Sequence, residues 1–358
     1  MRFCIVAACL GLARIIFGQA TPATSPPQRS WTFAVSGDSR NCGDVVMPAI
    51  ATGVLRDKSL FYWHLGDFRA IYRFDQDYAQ THKHGVMSIT EYLSGAWPDF
   101  IENQLVPFGD LPVYLALGNH ELIHPKTRSM IIDQFSDWLN GPFIRQQRLA
   151  DDPTDHVVKT YYHWIQDGID FITLDNASTE QFDQNQMKWL RHVLDHAIAD
   201  AGTRAVVVGM HEALPDSISE DHSMSQSKEG IDSGRQVYQW LLELHTRKPV
   251  YILASHSHFY MEGIFNTEYI KAHGAVLPGW IVGTAGAERY HLPPEKTNAV
   301  DAREHVYGYL TGQVTADKDN PIEFTFTQLA ETDVPTAVVN KFSAAFVHEC
   351  WADNPAKW

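Results

Sequence analysis

The chain is poor in cysteine, poor in basic residues, and has no apolar run of membrane-spanning length beyond its first 20 positions. Four cysteines in 358 residues, none clustered in the manner of a zinc finger, exclude a thiolate metal site. Cys4 and Cys9 fall in a stretch read below as a leader. Cys42 and Cys350 remain, with one possible pairing, which would pin the C-terminal tail beside the loop after Asp38. That bridge and two unrelated free thiols are both open from sequence. Lys and Arg number 28 against 43 Asp and Glu, a net −15; removing Arg2 and Arg14 with the leader leaves 26 basic residues and a net −17. A surplus of that sign argues against nucleic-acid backbones and anionic membranes as main partners.

Residues 1–20 read Met-Arg-Phe, then a largely apolar run to Phe17, then Gly18-Gln19-Ala20, with small residues where a signal peptidase cuts. The run falls short of the roughly 20 apolar residues that cross a bilayer. We therefore expect a cleaved export signal at 1–20, a Pro-, Ser- and Thr-rich flexible lead-in at 21–30, a single domain at 31–330 and a tail at 331–358. The mature chain is then soluble, without a membrane span, and secreted or periplasmic. Its 44% apolar content supports a sizeable core.

Five stretches share one pattern, an apolar run that stops on Asp, Asn or His. They are Phe33–Asp38, Tyr62–Asp67, Leu115–Glu121, Val206–His211 and Tyr251–His258. Continuous apolar runs are the mark of buried parallel strands, and polar residues just past their carboxyl ends sit where open α/β sheets build their sites. Two carboxylates (Asp38, Asp67), an amide (Asn119) and four imidazoles (His120, His211, His256, His258) are thus delivered to one sheet edge.

Between them, the spacing predicts helices over Met47–Leu55, Thr127–Leu139, 176–199 and Gly234–Thr246. Hairpins are expected over 160–174 and 306–329. Asp175 ends the first of these hairpins and is a candidate to support the site. Phe68–Leu111 is longer than an ordinary connection and reads as a lid or substrate loop, or as an adhesive surface. Within it, His82 and His84 have metal-like spacing, although exposed polar decoration is the commoner use. His64 reads as a satisfied core histidine.

Imidazole and carboxylate shells suit transition metals, and two ions roughly 3.5–4 Å apart clamp a phosphoryl group from both sides. Asp67 is the candidate bridge. Asn119 adds a neutral oxygen, and His120 suits protonation of a leaving alkoxide.

Gly37-Asp38, Gly66-Asp67, Gly118-Asn119-His120-Glu121, Gly209-Met210-His211 and His256-Ser257-His258 occur in the order found in calcineurin-like metallophosphoesterases, which include the purple acid phosphatases. From Trp31 to Leu329 the chain resembles that superfamily. The resemblance implies an α/β fold, a two-sheet β-sandwich flanked by helices, with two transition-metal ions (Fe, Zn or Mn, divalent or mixed-valence) at the strand ends. It implies that Asp38, Asp67 and His258 hold the first ion and that Asp67, Asn119, His211 and His256 hold the second. A metal-bound hydroxide would attack a small phosphorylated substrate, a phosphomonoester or small phosphodiester. His120 would be the acid and Glu121 its orienting partner.

The chain departs from the pattern at one place. Most members have Asp-x-His in the first motif, where this sequence has Asp38-Ser39-Arg40. Purple acid phosphatases place a Tyr three residues after the second Asp, where this chain has Ala70, with Tyr72 two residues on. Arg40 would bind substrate phosphate through its planar fork, the reading favoured on chemical grounds, or stand as a fixed cation in the vacated site, or pair with Asp44 at the surface. The alternative to an enzyme is a phosphate-binding or sensor protein on a one-metal version of the fold. His222, His273 and Glu288-Arg289-Tyr290 are further candidates for the cleft wall.

Overall fold

A computed structural model describes residues 30–82, 87–177 and 181–352. The expected export signal at 1–20, positions 21–29 of the lead-in, and His84 lie outside the described residues.

The strands, in chain order, are β1 (Trp31–Ser36), β2 (Tyr62–His64), β3 (Val113–Leu115), β4 (Tyr162–Gln166), β5 (Ile169–Thr173), β6 (Ala205–Gly209), β7 (Val250–Ala254), β8 (Tyr260–Glu262), β9 (Gly279–Val282), β10 (Asp301–Arg303), β11 (Tyr307–Val314) and β12 (Ile322–Leu329). They form a five-stranded sheet in the order β12-β11-β1-β2-β3 and a seven-stranded sheet in the order β10-β8-β9-β7-β6-β5-β4. β1, β2 and β3 run parallel in the first sheet, and β5, β6, β7 and β9 run parallel in the second.

Both sheets are apolar on both faces, because successive side chains point to opposite sides. Phe33, Trp63, Phe171, Val207 and Leu253 meet in the core between the sheets. Their sequence neighbours Val206, Val208, Ile252 and Ala254 pack outward under helices. The inter-sheet core is aromatic. Phe33 and Phe61 meet Phe171 edge-on at 5.0 and 5.1 Å, and Tyr114 stacks on Trp164 at 3.8 Å.

Helix α1 (Gly43–Arg56) covers the outer face of the first sheet. The connection from β2 to β3 holds α2 (Gln76–Thr81) and α3 (Ile89–Phe100), then a π-helical turn at Ile101–Leu105. The stretch 127–139, expected as one helix, breaks at Phe135 into α4 (Arg128–Gln134) and α5 (Ser136–Leu139), followed by α6 (Pro142–Asp151). Ile131, Phe135 and Leu139 face the core as expected, but Met130 is exposed. Helices α7 (Gln184–Ala199), α8 (Lys228–His245) and α9 (Glu268–His273) are the helices that cover the second sheet.

Two expectations change. The connection after Phe68 is not a loose lid or an adhesive flap, because Tyr78, Tyr92, Trp97, Phe100, Leu105 and Phe108 are buried within it. Residues after Leu329 do not trail as a tail. They form α10 (Thr336–Phe342) and α11 (Ala344–Ala352), which set Phe342, Phe346 and Val347 against the α1 side. Cys42 and Cys350 are disulfide-bonded, 308 positions apart.

Cross-linking over so long a loop restricts the unfolded chain strongly. A Cys42→Ser/Cys350→Ser double variant is expected to lose about 2–5 kcal/mol of stability. Equilibrium denaturant unfolding of the oxidised and double-variant proteins measures this directly.

Candidate metal centre

The two parallel strand sets end at the same edge, and the loops after them carry the donors. Asp38, Asp67 and His256 all have left-handed backbone, with φ of 60°, 61° and 65°. Residues with a Cβ avoid that region, and such strain persists where the surroundings over-determine it. Here the backbone is locked by Asp38 N–H donating to Gly66 O (2.9 Å), Ser39 N–H to Asp67 O (3.0 Å) and Ser255 N–H to His211 O (2.8 Å). Gly66 is required outright: its φ is +96°, and a Cβ there would lie 2.4 Å from the Gly118 nitrogen.

Asp67 is fully buried and sits at the middle of two donor groups. On one side, His211 Nε2 lies 3.3 Å from Asp67 Oδ1, 3.1 Å from Asn119 Oδ1 and 3.0 Å from His256 Nδ1. His211 donates its Nδ1–H to the Leu65 carbonyl at 2.9 Å, so Nε2 carries a bare lone pair. Lone pairs facing a carboxylate and an amide oxygen at such distances repel, unless a cation lies among them. On the other side, His258 Nε2 is 3.3 Å from Asp38 Oδ1, and His258 Nδ1 donates to the Glu288 carbonyl. Fixing one ring nitrogen with a backbone carbonyl is how metal-binding imidazoles are held.

The electrostatics agree. Burial opposes ionisation of both aspartates. His258 and His211 nevertheless hold Asp38 well below the usual carboxylate range, and His120 and His211 lower Asp67. Burial also pushes His256 and His258 down, toward the neutral form that binds metal. Asp38 Oδ1 and Asp67 Oδ2 are buried without a hydrogen-bond partner. Buried carboxylate oxygens left open in this way call for a cation, so the donor set fits a metal.

The sequence profile of calcineurin-like phosphoesterases matches residues 49–260. The chain belongs to this family. The matched span holds the donors from Asp67 to His258 and begins after Asp38 and Arg40. Among solved structures, purple acid phosphatase PPD1 from yellow lupin (Lupinus luteus) seeds aligns with a TM-score of 0.54 and 16% identity. The alignment covers 83% of this chain and 52% of the lupin chain, so this chain spans about half the lupin protein's length. PhoD aligns at 0.51 with 12% identity, covering 92% of this chain and 78% of PhoD. At these identities the likeness is one of fold. No curated protein matches the sequence.

The remaining sequence candidates divide. In this family member His120 is buried beside Asp67, its Nε2 3.6 Å from Asp67 Oδ2. Glu121 does not orient it. The tight turn at Asn119–Leu122 swings Glu121 back under the second loop, where it accepts N–H bonds from Asp67, Phe68 and Gly118, each at 2.8 Å. The Ala70 carbonyl orients His120 instead, accepting from Nδ1 at 2.7 Å. Burial presses His120 down to about 4, against the pull of Asp67.

Arg40 is not a surface partner of Asp44. It is 5% exposed, with Nη2 3.1 Å from His258 Nε2 and Nε 3.8 Å from Asp67 Oδ2. Asp44 instead meets the buried Arg69 at 2.5 Å, together with Asp77 at 2.9 Å and Asp99. Asp75 accepts from the Asn41 and Ala70 N–H groups at 2.7 and 3.1 Å. This cluster, which sequence reasoning missed, ties the first loop to the second.

His64 is a core histidine, donating from Nε2 to Ser39 Oγ at 2.9 Å. Asp175 is taken up by Arg128 and Thr160, and His82 stacks on Tyr78. His273 stacks on Tyr269, remote from the centre. Tyr72 is 53% exposed with its ring 5.3 Å from His120. Tyr290 stacks on His258 at 3.9 Å and His222 on Tyr290 at 4.9 Å, so these two do line the wall.

Two outcomes are expected. A Cβ at Gly118 would lie 2.2 Å from Asp67 Oδ1. Gly118→Ala should therefore cost about 1–3 kcal/mol and displace the carboxylate, weakening metal binding in calorimetric titration. Added metal should stabilise the protein by about 2.7 kcal/mol at a free ion concentration roughly 100 times Kd, read as a raised melting temperature that chelator reverses.

Proposed function

We propose that the chain is an exported metal-dependent phosphoesterase that hydrolyses phosphomonoesters or small phosphodiesters at the centre around Asp67. The observation that carries this reading is the convergence of donor atoms from five side chains, Asp38, Asn119, His211, His256 and His258, around the buried carboxylate of Asp67. Metal held within this centre, among Asp38, Asp67, Asn119, His211, His256 and His258, would supply Lewis acidity and an acidified water for attack on phosphorus.

The protein's own groups do the rest. The Ala70 carbonyl fixes the His120 ring, so that Nε2 faces the centre and a proton carried there can pass to the departing oxygen. The negative charge of an arriving phosphate favours that protonated form, offsetting the burial that otherwise lowers it. A cleft of about 750 Å³ adjoins His222 and is walled by Ser219, Glu220, Asp221 and Phe259. Its volume suits a small alcohol, and its acidic rim disfavours a leaving group with further negative charge. Export accords with the Cys42–Cys350 bond, which persists in oxidising compartments.

Release of phosphate from alkyl and nitrophenyl esters with manganese, zinc or iron tests the reading. His120→Ala should lower turnover of the alkyl ester by roughly 10²–10⁴, and that of the nitrophenyl ester, whose leaving group needs no proton, by less than about tenfold. Wild-type turnover no higher than that of a protein-free control on both esters, in every metal, would leave a phosphate-binding protein.

A further inference from the structure

The two donor groups around Asp67 are not equivalent. Asp67 Oδ1, Asn119, His211 and His256 face one another with no protein cation among them. Asp38, Asp67 and His258 enclose Arg40. His258 has one lone pair to offer, at Nε2, because Nδ1 donates to the Glu288 carbonyl. The Arg40 guanidinium lies 3.1 Å from that same nitrogen, positioned to donate into the lone pair. An N–H donor and a metal ion cannot share it.

Other contacts hold the guanidinium in place. Tyr290 stacks on His258 and takes a second contact from Arg40 Nη2 at 3.4 Å, while Arg40 Nε faces Asp67 Oδ2 at 3.8 Å. With only 5% of the residue exposed, its fork faces the donors and not an entering phosphate. Guanidinium keeps its charge at any working pH and would repel a dication at this range. No replacement donor is at hand either. Ala70 has no ligating side chain, and Tyr72 is half exposed against His120.

Resting on the metal-dependent reading above, we infer that Arg40 takes the place of the first ion, so that the chain binds a single ion through Asp67, Asn119, His211 and His256. The positive charge on the Asp38 side is then part of the polypeptide, present whether or not metal is loaded.

The test is metal stoichiometry, independent of turnover. Full-length protein stripped with chelator and equilibrated with excess Mn2+ should hold one ion per chain by elemental analysis, with the six-line electron paramagnetic resonance signal of an isolated Mn(II). Arg40→His, which restores an imidazole at that position, should hold two ions with an exchange-coupled signal. Arg40→Lys, which keeps a cation, should stay at one. Wild type carrying two coupled ions overturns the inference and leaves the phosphoesterase reading intact, and this measurement needs no variant to fold. A folded Arg40→His that stays at one ion also overturns it. Wild type that binds no Mn2+, Zn2+ or iron overturns both readings together.

Discussion

A carboxylate wholly buried with one oxygen left without a hydrogen-bond donor is costly, and Asp67 is such a group at the meeting point of both sheets. Much of the surrounding architecture serves to keep it there. Gly66 admits the turn that aims it, and Gly118 leaves room for its oxygen. Glu121 ties its backbone N–H down from below. The imidazole nitrogens of His120 and His211 lie 3.6 and 3.3 Å from its oxygens. The strain at Asp38, Asp67 and His256 is held by backbone hydrogen bonds between the loops, made by the polypeptide alone, so the centre is organised before anything binds.

A second layer of support lies behind the loops. Arg69 is wholly buried among Asp44, Asp77 and Asp99, an arrangement that satisfies one cation with several anions. Burial and the neighbouring carboxylates push Asp99 up to about 7, and Arg69 pulls it the other way. Buried ion clusters of this kind add little net stability, but they fix geometry because any displaced member leaves an uncompensated charge. Here the fixed geometry is the spacing between the loop that bears Asp38 and Arg40 and the loop that bears Asp67. The long connection between β2 and β3 thus acts from inside the molecule.

The strand ends were legible because their physics is local. An apolar run that both sheet faces must bury, stopped by a polar residue, marks a strand and its site-facing terminus in one pattern. The convergence of Asp38, Asp67, Asn119, His211, His256 and His258 was therefore legible in sequence, as was His64 in the core. The Arg69 cluster did not, since Asp44, Asp77 and Asp99 look like ordinary surface acids until three separate segments are packed together. The role of Glu121 was misread for a related reason: adjacency to His120 in sequence says nothing about which way a tight turn swings each side chain. The helices after Leu329 lack a clear amphipathic stripe, and only the partner surface on α1 gives Phe342 and Phe346 somewhere to go.

The order β12-β11-β1-β2-β3 places the first strand of the chain between its nearest sequence neighbour and a strand that begins at Tyr307. During synthesis β1 therefore waits, with one flank open, until Tyr307–Val314 has left the ribosome. Such distant pairing slows folding and leaves a sticky margin exposed in the interim. The nascent chain is thus obliged to leave this sheet unfinished, with the β1 margin unprotected, until β11 has been made.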